Sequence, residues 1–274
     1  MTGRDYSHRK AWLVDRMKLL ARSFAVEIYA FAVMSNHFHI VVHYDPKACE
    51  SWSDEEVAER WVEAFPPVEH GQVVEARKVE KRALLLDDPD RLGHLRRTLG
   101  SLSAFMKHLK QPIARRANLE DECEGHFFEQ RFYSGALLSE DALLAAMVYV
   151  DLNPVRAGQV RRLIQCRDTS VAERLRENDA AALEEYIGPV VSGLRDAQGA
   201  TRTLLYVTLA VYVRLLEDIV AAETGASEAP DRVARWIARM SSLRKRQRAY
   251  GSRELLQKWT AERGMQLREA PMHG

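Results

Sequence analysis

The chain has 274 residues, 40 Lys+Arg against 39 Asp+Glu, a formal charge of +1, 46% hydrophobic and 29% charged residues. Those values argue against disorder, a collagen-like repeat and a supercharged tail, and they fit a folded soluble chain. The longest charge-free apolar stretch, around Leu204 to Val213, is far short of the roughly 20 residues of a membrane span, and the polar start predicts no secretory signal, so a cytoplasmic location without a membrane partner is expected. Three scattered cysteines, Cys49, Cys123 and Cys166, offer neither a disulfide framework nor a C-x-x-C zinc site.

Leu13, Met17, Leu20 and Phe24 recur at helical steps and predict the first helix. Val26 to Val33 is β-branched and aromatic, Ser35-Asn36 marks a turn, and His37 to Val42 reads as a second strand, so the pair is an antiparallel hairpin. Ser53-Asp54-Glu55-Glu56 is a capping box opening a short helix that Pro66-Pro67 stops, and the segment to Asp90 reads as a partly helical insertion. One long helix is predicted from about Pro89 to Ala117, with Leu92, Leu95, Leu99, Leu102, Met106 and Leu109 on one face and a bend at Pro112. An aromatic stretch from Phe127 leads to a strand at Gly135 to Leu138. Ser139 then caps a helix that ends ahead of Pro154. Beyond Cys166 the pattern is helical, with a linker at 225–230, and charge is polarised: from Ala226 to Gly274 eleven Lys/Arg stand against five Asp/Glu, with Arg244, Lys245, Arg246 and Arg248 nearly together. Such a run is more often a solvated face than a nucleic-acid contact.

His37 and His39 alternate with Phe38 along a strand, so both imidazoles share one face, roughly 7 Å apart at Cα, and can converge on one metal. An isolated H-x-H is more often a pair of surface histidines. A second constellation weighs against that reading: Tyr149 and Asn153, at i and i+4, put a phenol beside an amide oxygen on one helical face. Two imidazoles with an amide oxygen suit Mg²⁺ or Mn²⁺, and such a centre can polarise a phosphate for attack by a phenol.

Three stretches together resemble one family: Ala32 to Val42 around His37-Phe38-His39, Gly125 to Phe132, and Tyr149-Val150-Asp151-Leu152-Asn153-Pro154-Val155-Arg156-Ala157-Gly158. In order and spacing, from about residue 7 to 175, the chain is similar to the single-tyrosine HUH transposases of insertion-sequence type, nearest to the REP-associated tyrosine transposases. The resemblance implies a ferredoxin-like α+β fold, with a catalytic domain over 1–165 carrying a polar insertion at about 45–90, and a helical accessory region over 166–274. It implies His37, His39 and Asn153 as ligands of a divalent metal, Tyr149 as nucleophile, and cleavage and rejoining of single-stranded DNA at hairpin-flanked ends through a 5′-phosphotyrosine without ATP. Arg115, Arg116, Phe128, Arg131 and Arg156 are expected DNA contacts, with Arg96, Arg97, Lys107 and Lys110 as further basic neighbours, and a homodimer fits the reading. A second reading is a catalytically silent protein that recognises structured repeats; a third is a hydrolase in which the histidine pair activates water. The family usually has Trp where Phe128 stands. Its members also open with a strand before the first helix, so the present start implies an unpaired sheet edge that an upstream start, a degenerate copy or a neighbouring chain would explain.

Overall fold

In the computed structural model, which describes residues 6–129, 131–177, 187, 193–195, 201–203, 207–226, 228, 230–244 and 247–265, the apolar repeat at Leu13, Met17 and Leu20 winds into α1 (His8–Ser23). The hairpin follows as β1 (Val26–Val33) and β2 (Phe38–Tyr44), then α2 (Asp54–Ala64), a small hairpin of β3 (Val68–Glu69) and β4 (Gln72–Val73), α3 (Glu75–Leu86), α4 (Pro89–Leu99) and α5 (Leu102–Glu120). Later come β5 (Ala136–Leu137), α6 (Glu140–Asp151), α7 (Asn153–Arg156), α8 (Ser170–Arg176), β6 (Gly193–Arg195), β7 (Thr201–Thr203), α9 (Leu209–Glu223), α10 (Asp231–Leu243), β8 (Ala249–Tyr250) and α11 (Arg253–Ala261). The protein is mixed α and β, with a small antiparallel sheet and packed helices. No helix among the described residues is long and apolar enough to cross a membrane.

The chain divides into two compact units that interleave in sequence: residues 1–131 with 167–189, and 132–166 with 190–274. This division differs from the expected boundary near 165. His37 and His39 fall in the first unit, whereas Tyr149 and Asn153 fall in the second, together with the helices beyond 190.

In the first unit β1 and β2 pair antiparallel, with Ala32 opposite His39 and Val33 opposite Phe38, and the register shifts once between Ile28 and Ala30. Val26, Ile28, Phe31 and Val33 join the core, and Phe38, Ile40, Val42 and Tyr44 pack against it, while His39, Val41 and His43 take the other face. Met34 N–H donates to His37 O at 2.8 Å, which closes a two-residue loop of Ser35 and Asn36. Neither loop residue has positive φ, so the turn is not the primed type that usually fits hairpin twist.

The outer edge of β1 is covered by the chain's own later segment. Val33 N–H donates to Asp168 O at 2.8 Å, Phe31 N–H to Ser170 Oγ at 3.0 Å, and the buried Arg174 reaches Tyr29 O at 2.6 Å. Ala32 bridges Thr169 and Ile28 bridges Ile187. The unpaired edge expected from the sequence is therefore occupied, by loop and helix rather than by a full strand, and the buried backbone groups of Tyr29, Phe31 and Val33 find partners.

The predicted helix over 89–117 is two helices. It breaks at Gly100, and Ser101 restarts it by accepting a hydrogen bond from Ala104 N–H at 3.2 Å. Pro112 lies within α5; the His108 carbonyl that it leaves without its i+4 donor accepts from Arg16 Nε at 3.2 Å, and the same guanidinium donates to Ala64 O at the end of α2. Gly100 is held at the break by close packing. Its carbonyl accepts from Tyr44 Oη at 2.8 Å, and a Cβ there would stand 2.5 Å from the buried Cys49 Sγ and 3.3 Å from Pro46 O. Gly100→Ala should destabilise the fold by about 1–3 kcal/mol through overpacking, seen as a lower urea midpoint at unchanged slope. An unshifted midpoint would show that Cys49 yields freely.

In the second unit Ser139 accepts from Ala142 N–H at 3.1 Å and starts α6 where the sequence places it. The strand expected at 135–138 is the two-residue β5, and its partner is β8, in parallel. Gly135 is required at this join, since a Cβ would fall 2.5 Å from the Tyr250 ring.

Candidate metal pair and tyrosine helix

β2 is a strand with one core face, so its other face must carry whatever stands at alternate positions. His37 and His39 stand there, their ring centroids 4.9 Å apart and their planes nearly perpendicular at 86°. Burial pushes the His39 imidazole down to about 4, with the His37 charge adding to the effect, and burial also lowers His37. Both rings are consequently neutral near pH 7, the form in which imidazole ligates a metal. His37 Nδ1 lies 2.7 Å from Asn36 Oδ1. Across the ladder from His39 is Ala32, a residue with a single methyl. The structure thus sets two neutral imidazoles side by side, the kind of donor that ligates a divalent cation. No cluster of three His, Cys, Asp or Glu that could hold a metal occurs among the described residues.

His43 continues the same face and sequence reading passed over it, although the alternation of 37, 39 and 43 was visible. It sits opposite Glu27, with Nδ1 4.0 Å from Oε2, and Tyr29 Oη donates to that carboxylate at 3.1 Å. The ring of Tyr29 is buried and Tyr44 closes the far end of β2. Tyr133, on the aromatic stretch that follows Phe127, donates through its hydroxyl to Gln247 O.

Tyr149 is half-buried on α6, whose other residues Leu144, Met147 and Val148 are buried. The i, i+4 pairing with Asn153 does not lie on one continuous helix. Pro154 has no N–H to return to Val150, so α6 ends at Asp151 and α7 starts at Asn153, with Leu152 between them. Arg156 from α7 approaches the Tyr149 ring, its Cζ 5.8 Å from the centroid. Its Nη2 is 3.1 Å from Glu223 Oε1 on α9, while its buried Nη1 has no hydrogen-bond partner among the described residues.

Asp151, within the Tyr149 motif, is fully buried and accepts from the equally buried Tyr212 Oη of α9 at 2.7 Å. α9 thus braces the end of the tyrosine helix through Tyr212 to Asp151, and α7 through Glu223 to Arg156. The sequence signal was an acid inside an apolar run; its partner, 61 positions away, carried none. Tyr212→Phe should cost about 1–3 kcal/mol, because a buried carboxylate loses a donor, and the thermal midpoint reports it. A midpoint equal to wild type would mean that the brace is dispensable.

The expected DNA contacts are distributed on both units. Arg115 and Arg116 are exposed on α5, with Arg116 Cζ 3.7 Å from the Trp12 ring centroid. Phe128 meets Phe38 edge-on at 6.3 Å and lies beneath Lys110 Nζ at 4.6 Å, so it belongs to the core side of the hairpin and not to the histidine face. Phe127 beside it is 37% exposed, which leaves it the more available stacking surface. Arg131 is exposed. Arg96 binds the carbonyls of Cys49 and Trp52 and pairs with Asp54 at 2.6 Å. Gln130 of the aromatic stretch, Leu204 of the apolar stretch, residues 227 and 229 of the linker, and Lys245 and Arg246 of the basic run lie outside the described residues.

Comparison with known families, with curated proteins and with solved structures finds no match to this chain.

Proposed function

We propose that the chain is a metal-dependent DNA strand transferase of the single-tyrosine HUH type, which cleaves and rejoins single-stranded DNA at hairpin-flanked ends. The observation that carries this reading is the His37–His39 pair, two neutral imidazoles with centroids 4.9 Å apart on the face of the hairpin opposite Phe38 and Ile40. The motif order from His37 to Gly158 supports it, and the β1–β2 hairpin packed on helices is compatible with the centre of a ferredoxin-like fold.

On this reading His37 and His39 would hold Mg²⁺ or Mn²⁺, with Asn153 the third donor that the resemblance implies, and such a cation would supply positive charge to the scissile phosphate. Tyr149 Oη forms a bond to that phosphorus as the P–O3′ bond breaks; the phenol proton passes to solvent, and O3′ takes up a proton to leave as a 3′-hydroxyl. The 5′-phosphotyrosine preserves the phosphodiester's energy, so a second 3′-hydroxyl can reverse the step and rejoin strands without ATP. Arg156, beside the Tyr149 ring with one guanidinium nitrogen uncommitted among the described residues, is suited to the phosphate's charge. Arg115, Arg116, Phe127 and Arg131 would position a single strand by phosphate contact and stacking.

The test is covalent capture. Protein mixed with Mn²⁺ and 3′-labelled oligonucleotides bearing the hairpins that flank its own coding sequence should retain label on a denaturing gel. Hairpin binding without label transfer would favour the catalytically silent reading instead.

A further inference from the structure

The two-residue loop that closes the hairpin puts Asn36 directly before His37, and the chain is held there by the Met34 N–H to His37 O bond of 2.8 Å. The Asn36 side chain turns to its neighbour, with Oδ1 2.7 Å from Nδ1 of the imidazole. An amide oxygen only accepts, so Nδ1 must carry the proton in this contact. A neutral imidazole holds one N–H, which leaves the lone pair on Nε2. We propose that Asn36 is a positioning residue that fixes His37 as the Nδ1–H tautomer and so presents Nε2 to a divalent cation. This inference rests on the metal reading of the His37–His39 pair and adds to it the atom that binds and the group that selects it. Partners of this kind orient ligating histidines and raise their basicity. Asn36 and His37 are both exposed, so the contact contributes little to the fold and its role is separable from stability.

Long-range ¹H–¹⁵N spectra of the metal-free protein read the tautomer without any turnover. Wild type should show His37 protonated at Nδ1, Asn36→Ala should show loss of that single tautomer, and Asn36→Asp, which keeps an acceptor oxygen, should restore it. In parallel, titration with Mn²⁺ alone should give about 10–100-fold weaker binding in Asn36→Ala, recovered in Asn36→Asp, at an unchanged melting temperature. A wild-type His37 protonated at Nε2, or an Asn36→Ala protein with the wild-type spectrum and Mn²⁺ affinity, overturns the proposal. Failure of the metal reading has a different signature: Mn²⁺ binding that is absent from wild type, or that survives both His37→Ala and His39→Ala. The metal-free spectrum reports on Asn36 even then.

Discussion

Tyr149→Phe is expected to bind hairpin DNA with wild-type affinity and to form no covalent adduct, with strand cleavage slowed by roughly 10³-fold or more. The change removes one oxygen and keeps the ring, so the approach of Arg156 to the Tyr149 face at 5.8 Å survives and the fold should melt normally. On the proposed reading the oxygen removed is the attacking atom. A group needed in the transition state and idle in the ground state lowers rate while sparing affinity, and that separation distinguishes a nucleophile from a DNA-contacting tyrosine. Tyr133→Phe is the control, because its hydroxyl is engaged with Gln247 O. Adduct formation by Tyr149→Phe, or its loss in Tyr133→Phe alone, would remove Tyr149 from the centre of the chemistry.

His37→Ala and His39→Ala should each abolish Mn²⁺-dependent nicking and leave DNA affinity within a small factor of wild type. One imidazole cannot replace two, and the arginines proposed to contact phosphate, Arg115, Arg116 and Arg131, lie on other segments. The two variants should differ in stability: His37 is exposed, whereas His39 is half-buried and its loss removes packing from the face of β2. Gel assays across a Mn²⁺ series with matched binding isotherms give the answer. Undiminished cleavage by either variant would rule out the ligand pair.

What could be read from the sequence was local. β1 over Val26–Val33 follows from its β-branched and aromatic run, the shared face of His37 and His39 from period-two alternation, and the Ser53 and Ser139 caps from side chains that bond their own helix starts. The break at Gly100 was masked because α4 and α5 both turn leucines to the same core, so the apolar repeat runs through the interruption; Gly100-Ser101, a stop followed by a cap, was the overlooked signal. Contacts between distant segments had no local signature at all. Tyr212 beneath Asp151, Arg174 on Tyr29 O and the separation of the histidine pair from Tyr149 into different compact units depend on tertiary pairing that no window of neighbouring residues reports.

The covered edge of β1 bears on how the chain can be divided. A fragment stopped at residue 165, where sequence motifs would suggest cutting, loses Asp168, Ser170, Arg174 and Ile187 and lays bare the amides of Phe31 and Val33 on a buried apolar strand. An exposed edge of that kind recruits a second strand from another molecule, so such a fragment would self-associate through β1. The histidine hairpin is therefore not a portable module in its first 165 residues: the shortest piece that keeps it monodisperse carries the chain through Ile187, and deletion mapping of metal or DNA binding should place its cuts beyond that point.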